Sequence, residues 1–273
     1  MRHILMPLLT ALGLGALAAA APAAAQTTDA VTSARVLPGW RMADGTHMAA
    51  VELRLAPGWK TYWRAPGDLG IPPRFDWRGS DNLAGVDIRW PTPGLIQQGG
   101  DVAIGYHDVL VLPLHVLARD AGAGVTLKGT VDLGVCRDVC MPLTLALNAD
   151  LPADAAARDG RIAAALADRP LTAAEAGVRA VSCTVSPGKN GQLNLRAVVT
   201  LPPTGAPETA IIEAGDPNLW IAQPSLQRRG DTLIAETRLS HGQGRAFALD
   251  RSKLRLTILG ARQAVDIQGC PAG

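Results

Sequence analysis

The sequence predicts an all-β chain of two β-sandwich domains joined by a short, Ala-rich, partly helical linker. Three observations carry this. Short alternating or β-branched runs recur between Gly and Pro punctuation at the spacing of sandwich strands. One Ala-rich stretch interrupts them near the middle of the chain. Five of the six tryptophans (Trp40, Trp59, Trp63, Trp77, Trp90) precede residue 100, so the two halves differ in chemistry.

Taken in order, the chain opens with Arg2 and His3, an apolar run from Ile4 to Ala21, and Ala23-Ala24-Ala25 before Gln26. This pattern reads as a cleaved signal peptide over residues 1–25, whose Ala/Gly-rich core is a poor membrane anchor. No cysteine lies near the cleavage site, which excludes a lipoprotein anchor, and no later stretch offers 18 consecutive apolar residues. The expected product is soluble and exported to the periplasm, where disulfides persist. Strand signals follow in "HMAAVELRLAPG", "VDIRWPTPG", "DVLVLPLHVLA", "GVTLKGTVDLGV" and "PLTLALNADL", defining a first domain over 27–150. Residues 151–176 change texture to "ADAAARDGRIAAALADRPLTAAEA", a helical linker punctuated by Gly160 and Pro170. Strands resume with "VRAVSCTVSPG", "QLNLRAVVTLP", "TLIAETRL", "KLRLTILG" and "AVDIQGC", giving a second domain over 177–273.

Composition narrows the function. Hydrophobic residues make up 48% of the chain, enough for real cores. The 26 basic and 24 acidic residues nearly cancel, which gives no electrostatic footprint for nucleic acid or anionic lipid. No Ser-His-Asp arrangement, phosphate loop or paired catalytic carboxylate is visible, and no cofactor is called for.

The four cysteines carry the chemistry. A bridge between Cys183 and Cys270 would span nearly the whole second domain, and its loop-closure entropy is worth roughly 4 to 5 kcal/mol. Closing the short loop from Cys136 to Cys140 is worth only about 2 kcal/mol on the same model. The distant pair is therefore the efficient structural staple. In one extended strand, Cys136 and Cys140 would stand about 13 Å apart, far beyond the ~4.4 to 6.8 Å that a disulfide tolerates, so they must face each other across a tight turn or a helical turn. Arg137 favours a thiolate and Asp138 opposes it, so local charge does not decide which sulfur attacks. On residues alone the pair fits a redox-active dithiol, a plain structural bridge or part of a metal site. A copper or zinc set of Cys136, Cys140 and His107 has precedent in ligand type, yet no His stands at metal-ligand spacing beside the pair, and no metal is assigned. The tryptophans and Tyr62 read first as sandwich packing. "PGDLGIPP" reads as a turn-rich loop that Gly67 and Gly70 would let act as a lid.

Three segments in order, "GWKTYWRAPGDLGIPPRFDW", "GGDVAIGYHDVLVLPLHV" and "VDLGVCRDVCMP", resemble the N-terminal periplasmic domain of the DsbD and ScsB thiol:disulfide interchange proteins. The likeness is strongest over residues 35–150, and its ScsB-like branch extends through the second β domain. It implies immunoglobulin-like sandwiches in which Cys136 and Cys140 form the redox pair. It also implies that residues Arg64 to Pro73 cap that pair, with Tyr62, Asp68, Leu69, Ile71, Tyr106 and His107 in supporting or capping places. The implied partners are a membrane-embedded electron donor of the DsbD/CcdA kind and a periplasmic thioredoxin-like or DsbC/ScsC-like acceptor. Longer relatives continue into a membrane domain and a thioredoxin-like domain. This sequence stops at Gly273, so a separately encoded membrane partner is expected. Two other readings remain, a periplasmic copper-binding or delivery protein and a non-catalytic Ig-like binding module.

Overall fold

The computed structural model describes residues 28–98 and 101–272; the predicted signal peptide lies outside the described residues. Two pairs of facing sheets make up almost all of it, the all-β, immunoglobulin-like architecture that the sequence predicts. In the first pair, one sheet has the order β1-β2-β8-β5, from β1 (Val31–Arg41), β2 (His47–Leu55), β5 (Leu83–Ile88) and β8 (Val109–Ala118). The other has the order β10-β9-β3-β7-β6, from β3 (Lys60–Tyr62), β6 (Gly94–Gln98), β7 (Asp101–His107), β9 (Val125–Cys136) and β10 (Cys140–Leu151). A short β4 (Arg74–Asp76) also pairs with β9.

The inward faces meet in one apolar core that includes Val51, Leu53, Trp63, Ile104, Leu112, Leu127 and Leu145. Strand β2 is buried along nearly its whole length rather than at alternate residues, because both of its faces are covered. On the outer side sits helix α1 (Gly160–Ala167), whose Ile162 packs with Leu37, Trp40, Met48 and Ala50. Asp159 caps the helix by accepting from the Arg161 amide, and Pro170 lies just beyond its end. The fully buried carboxylate of Glu52 lies on the same outer face and is held by Arg35 at 2.8 Å, Arg161 at 3.1 Å and Arg54 at 3.3 Å. Burial alone would raise its pKa, but the arginines outweigh burial and hold it below the ordinary value.

The second pair of sheets has the orders β11-β19-β18-β14 and β12-β13-β17-β15. The first of these contains β11 (Leu171–Thr172), β14 (Thr209–Glu213), β18 (Arg255–Leu259) and β19 (Ala264–Gln268). The second contains β12 (Ala180–Pro187), β13 (Leu193–Thr200), β15 (Leu219–Ile221) and β17 (Thr232–His241), with β16 (Ser225–Arg229) also on β17. The Cys183–Cys270 disulfide, with Cα atoms 5.5 Å apart, joins β12 of one sheet to the segment after β19 of the other, inside the core. The two sandwiches touch: Ile211, Leu259 and Ala264 of the second join the apolar core of the first. Among the described residues no helix is long and apolar enough to cross a membrane.

Candidate functional site

Strands β9 and β10 form a hairpin whose register sets Cys136 directly opposite Cys140, with only residues 137–139 at the tip. Opposed residues of antiparallel strands share a face and stand close, which brings the two sulfurs together. They are joined by a disulfide, with Cα atoms 4.1 Å apart. Cys136 is 1% exposed, whereas Cys140 is only partly buried. The Arg137 guanidinium pairs with Asp138 at 3.0 Å and lies 5.2 Å from the centre of the Trp59 ring.

This disulfide stands on the outer face of its sheet, away from the sandwich core. The neighbouring strand β3 sets Lys60 opposite Cys136. Two residues on, and so on the same face, Tyr62 is fully buried with its hydroxyl 3.2 Å from Cys140 Sγ. Tyr62, Cys136, Ile96 and Ala103 form a small apolar cluster of their own, with Cys140 at its edge. The neighbours of Tyr62 are those of the cysteine pair rather than of the main sandwich core, in line with the supporting place that the resemblance implies for it.

The loop over residues 64–73 lies against this cluster at Tyr62. The loop leaves β3 along β7, where Pro66 O accepts from the Ile104 amide at 3.0 Å. Two glycines let it lie flat. A Cβ at Gly70 would stand 2.2 Å from Pro66 Cβ and 2.8 Å from Tyr62 Cδ1. A Cβ at Gly134 would stand 2.7 Å from Ile71 Cβ and 2.9 Å from Tyr62 Cδ2. Ile71 therefore rests on the floor that Gly134 opens, with Tyr62 beside it. Leu69 and Ile71 remain more than a third exposed, and Val139 and Met141 stand out from the hairpin, so the disulfide has an apolar rim.

Of the residues named from sequence, the structure gathers Cys136, Cys140 and Tyr62, with Ile71 close by. Asp68 belongs to the same loop, but its carboxylate turns to the second sandwich, where Trp220 Nε1 donates to it at 2.7 Å. Tyr106 is not at the pair. It lies on the opposite face of β7, in the main core, and its hydroxyl donates to Pro91 O at 2.9 Å. Burial pushes its phenol well above the ordinary value. His107 is exposed at the end of β7, with Lys60 standing between it and Cys136 in the register. Among the described residues no three His, Cys, Asp or Glu side chains gather as a metal set.

Sequence reading missed Lys60, Gly134, Ile96 and Ala103. Alternation back from Tyr62 and Cys136 would have found Lys60 and Gly134; Ile96 and Ala103 needed the pairing of β6 with β7. It placed Arg64 only at the start of the capping segment and missed that this residue carries the loop's main ionic contact. The Arg64 guanidinium lies 3.9 Å over the Trp63 ring and binds Glu213 of the second sandwich through both of its terminal oxygens, at 2.9 to 3.2 Å.

Residues 28–150 match the family model for the N-terminal domain of the thiol:disulfide interchange protein DsbD. The solved N-terminal periplasmic domain of ScsB from Proteus mirabilis is similar in fold at a TM-score of 0.66 and 23% sequence identity, covering 90% of this chain and 95% of that one. No curated protein sequence matches the chain. Residues 28–150, which hold the hairpin disulfide, thus match the DsbD N-terminal domain, and the overall fold is like that of the ScsB periplasmic region.

Proposed function

We propose that this protein is a periplasmic thiol:disulfide interchange protein, in which Cys136 and Cys140 take two electrons from a membrane-embedded donor and pass them to a thioredoxin-like acceptor. One observation carries the reading: in a region that matches the DsbD N-terminal domain, a disulfide closed across a tight hairpin turn lies outside the main core, against a tyrosine hydroxyl and beside the loop of residues 64–73. A bridge placed there contributes little to holding the sandwich together, while one of its sulfurs stays within reach of a partner.

The unequal exposure of the two sulfurs supports a division of labour. An incoming thiolate reaches the partly exposed Cys140 and forms a mixed disulfide with it, releasing the buried Cys136 as thiolate. The donor's second thiol then attacks the mixed disulfide, so the donor leaves oxidised and both cysteines here are left reduced. In the forward half, Cys140 attacks the acceptor disulfide and Cys136 resolves the mixed disulfide, closing the hairpin bridge again. Two electrons and two protons move in each half.

Trapping tests this directly. With Cys136→Ala, Cys140 has no resolving neighbour and should accumulate as a mixed disulfide with a thioredoxin-like protein or the membrane donor in periplasmic extracts. Cys140→Ala should trap far less. The reverse pattern would exchange the two roles, and no mixed disulfide from either variant would overturn the proposed function.

A further inference from the structure

The capping loop has two unlike sides. Its apolar side, Gly70 and Ile71, lies on Tyr62 and Gly134 beside the disulfide. Its polar side faces the second sandwich. Arg64, at the start of the loop and 13% exposed, binds Glu213 and reaches Thr257 Oγ1 at 3.3 Å and Asp266 at 3.8 Å. Arg255 shares Asp266, at 2.7 Å, so the Arg64 charge sits in a ring of two carboxylates and one further arginine. At mid-loop, Asp68 accepts from Trp220, the lone tryptophan of the second half, which stays 45% exposed so that its ring edge meets the loop. Between these two ties runs a cleft of about 520 Å³ lined by Arg64, Gly67, Asp68, Glu213 and Trp220. From the first sandwich, by contrast, the described polar contact to the loop is a backbone one, at Pro66.

We infer that the second sandwich is the holder of the cap: Glu213 and Trp220 are positioning residues that keep the loop closed over the Cys136–Cys140 pair and so set its rate of exchange. This rests on the function proposed above and adds to it a role for the second sandwich. A loop held at its start and its middle opens only when a tie breaks. A single hydrogen bond is worth about a factor of five in such an equilibrium.

The test is reduction of the Cys136–Cys140 disulfide in the full chain by dithiothreitol, followed by alkylation and mass spectrometry. In that reaction the dithiol gives two electrons to the bridge and closes to its own cyclic disulfide. Trp220→Phe and Asp68→Leu should each speed reduction about fivefold at an unchanged unfolding midpoint. Combined, they should be no faster than either alone, because both break one contact. Asp68→Asn, which keeps an acceptor oxygen, should recover most of the slow rate, and Glu213→Gln should accelerate through the other tie. Leu69→Ala with Ile71→Ala reports on the cap itself. Wild-type rates in Trp220→Phe and Glu213→Gln beside a fast Leu69/Ile71 variant would overturn the inference and leave the proposed function standing. So would multiplicative effects of Trp220→Phe and Asp68→Leu. No acceleration in any variant would remove the cap as well, and a wild-type pair inert to dithiothreitol would sink the function on which all of this rests.

Discussion

The two disulfides of this molecule differ in span and in where they sit. Cys183 and Cys270 lie 87 residues apart in sequence and join the two sheets of the second sandwich from inside its core. Cys136 and Cys140 lie 4 apart and join two strands that are already neighbours in one sheet, on its outer face. Burial of one sulfur does not separate them, since Cys136, Cys183 and Cys270 are each 1% exposed. The distinction lies in Cys140, in the hydroxyl beside it and in the loop above it. The comparison teaches that position, rather than depth, separates a staple from an exchangeable bond: one constrains a whole domain, the other almost nothing.

The largest effect should come from removing the staple. Cys183→Ala with Cys270→Ala releases a long loop and should destabilise the second sandwich by roughly 4 to 5 kcal/mol, against about 2 kcal/mol for Cys136→Ala with Cys140→Ala. Denaturant unfolding of both double variants, followed by circular dichroism, measures the contrast. Equal losses would erase the distinction between the two bonds.

A smaller effect sharpens the other side of the comparison. In the reduced protein the Tyr62 hydroxyl is placed to donate to a Cys140 thiolate, and hydrogen bonds to charged groups are worth about 1.5 to 3 kcal/mol. Tyr62→Phe removes that donor while keeping the ring that packs on Gly134. The reduced form loses stability, so the reduction potential should fall by about 30 mV, and attack on an acceptor disulfide should slow about threefold, because the smaller thiolate fraction is partly offset by a more nucleophilic sulfur. An unchanged potential would confine Tyr62 to packing.

Much of this was legible in the sequence, for identifiable reasons. Gly/Pro punctuation between alternating runs exposes a sandwich, and the spacing of Cys136 and Cys140 excludes a shared strand and leaves a turn, which the β9–β10 hairpin supplies. The faces of short strands were harder. The motif around Tyr106 and His107 places both near the site, but it does not specify which face of β7 each occupies. The register that sets Gly105 opposite Tyr62 turns Tyr106 inward, and one residue of slip decides the face. Long-range contacts left no local trace at all. Arg64 and Glu213 are 149 residues apart, and Asp68 and Trp220 are 152 apart. Each looks like an ordinary surface or turn residue until two sandwiches are set side by side.

The central claim is that the two bonds differ in redox character, and one titration decides it. Equilibrate the native protein across dithiol/disulfide buffers of known potential, quench by alkylation, and read each cysteine by mass spectrometry. The account predicts that Cys136 and Cys140 become alkylated together with a midpoint between about −120 and −270 mV, while Cys183 and Cys270 stay bridged until below about −300 mV. All four cysteines opening in a single step, or Cys136 and Cys140 holding out as long as the staple, would contradict it.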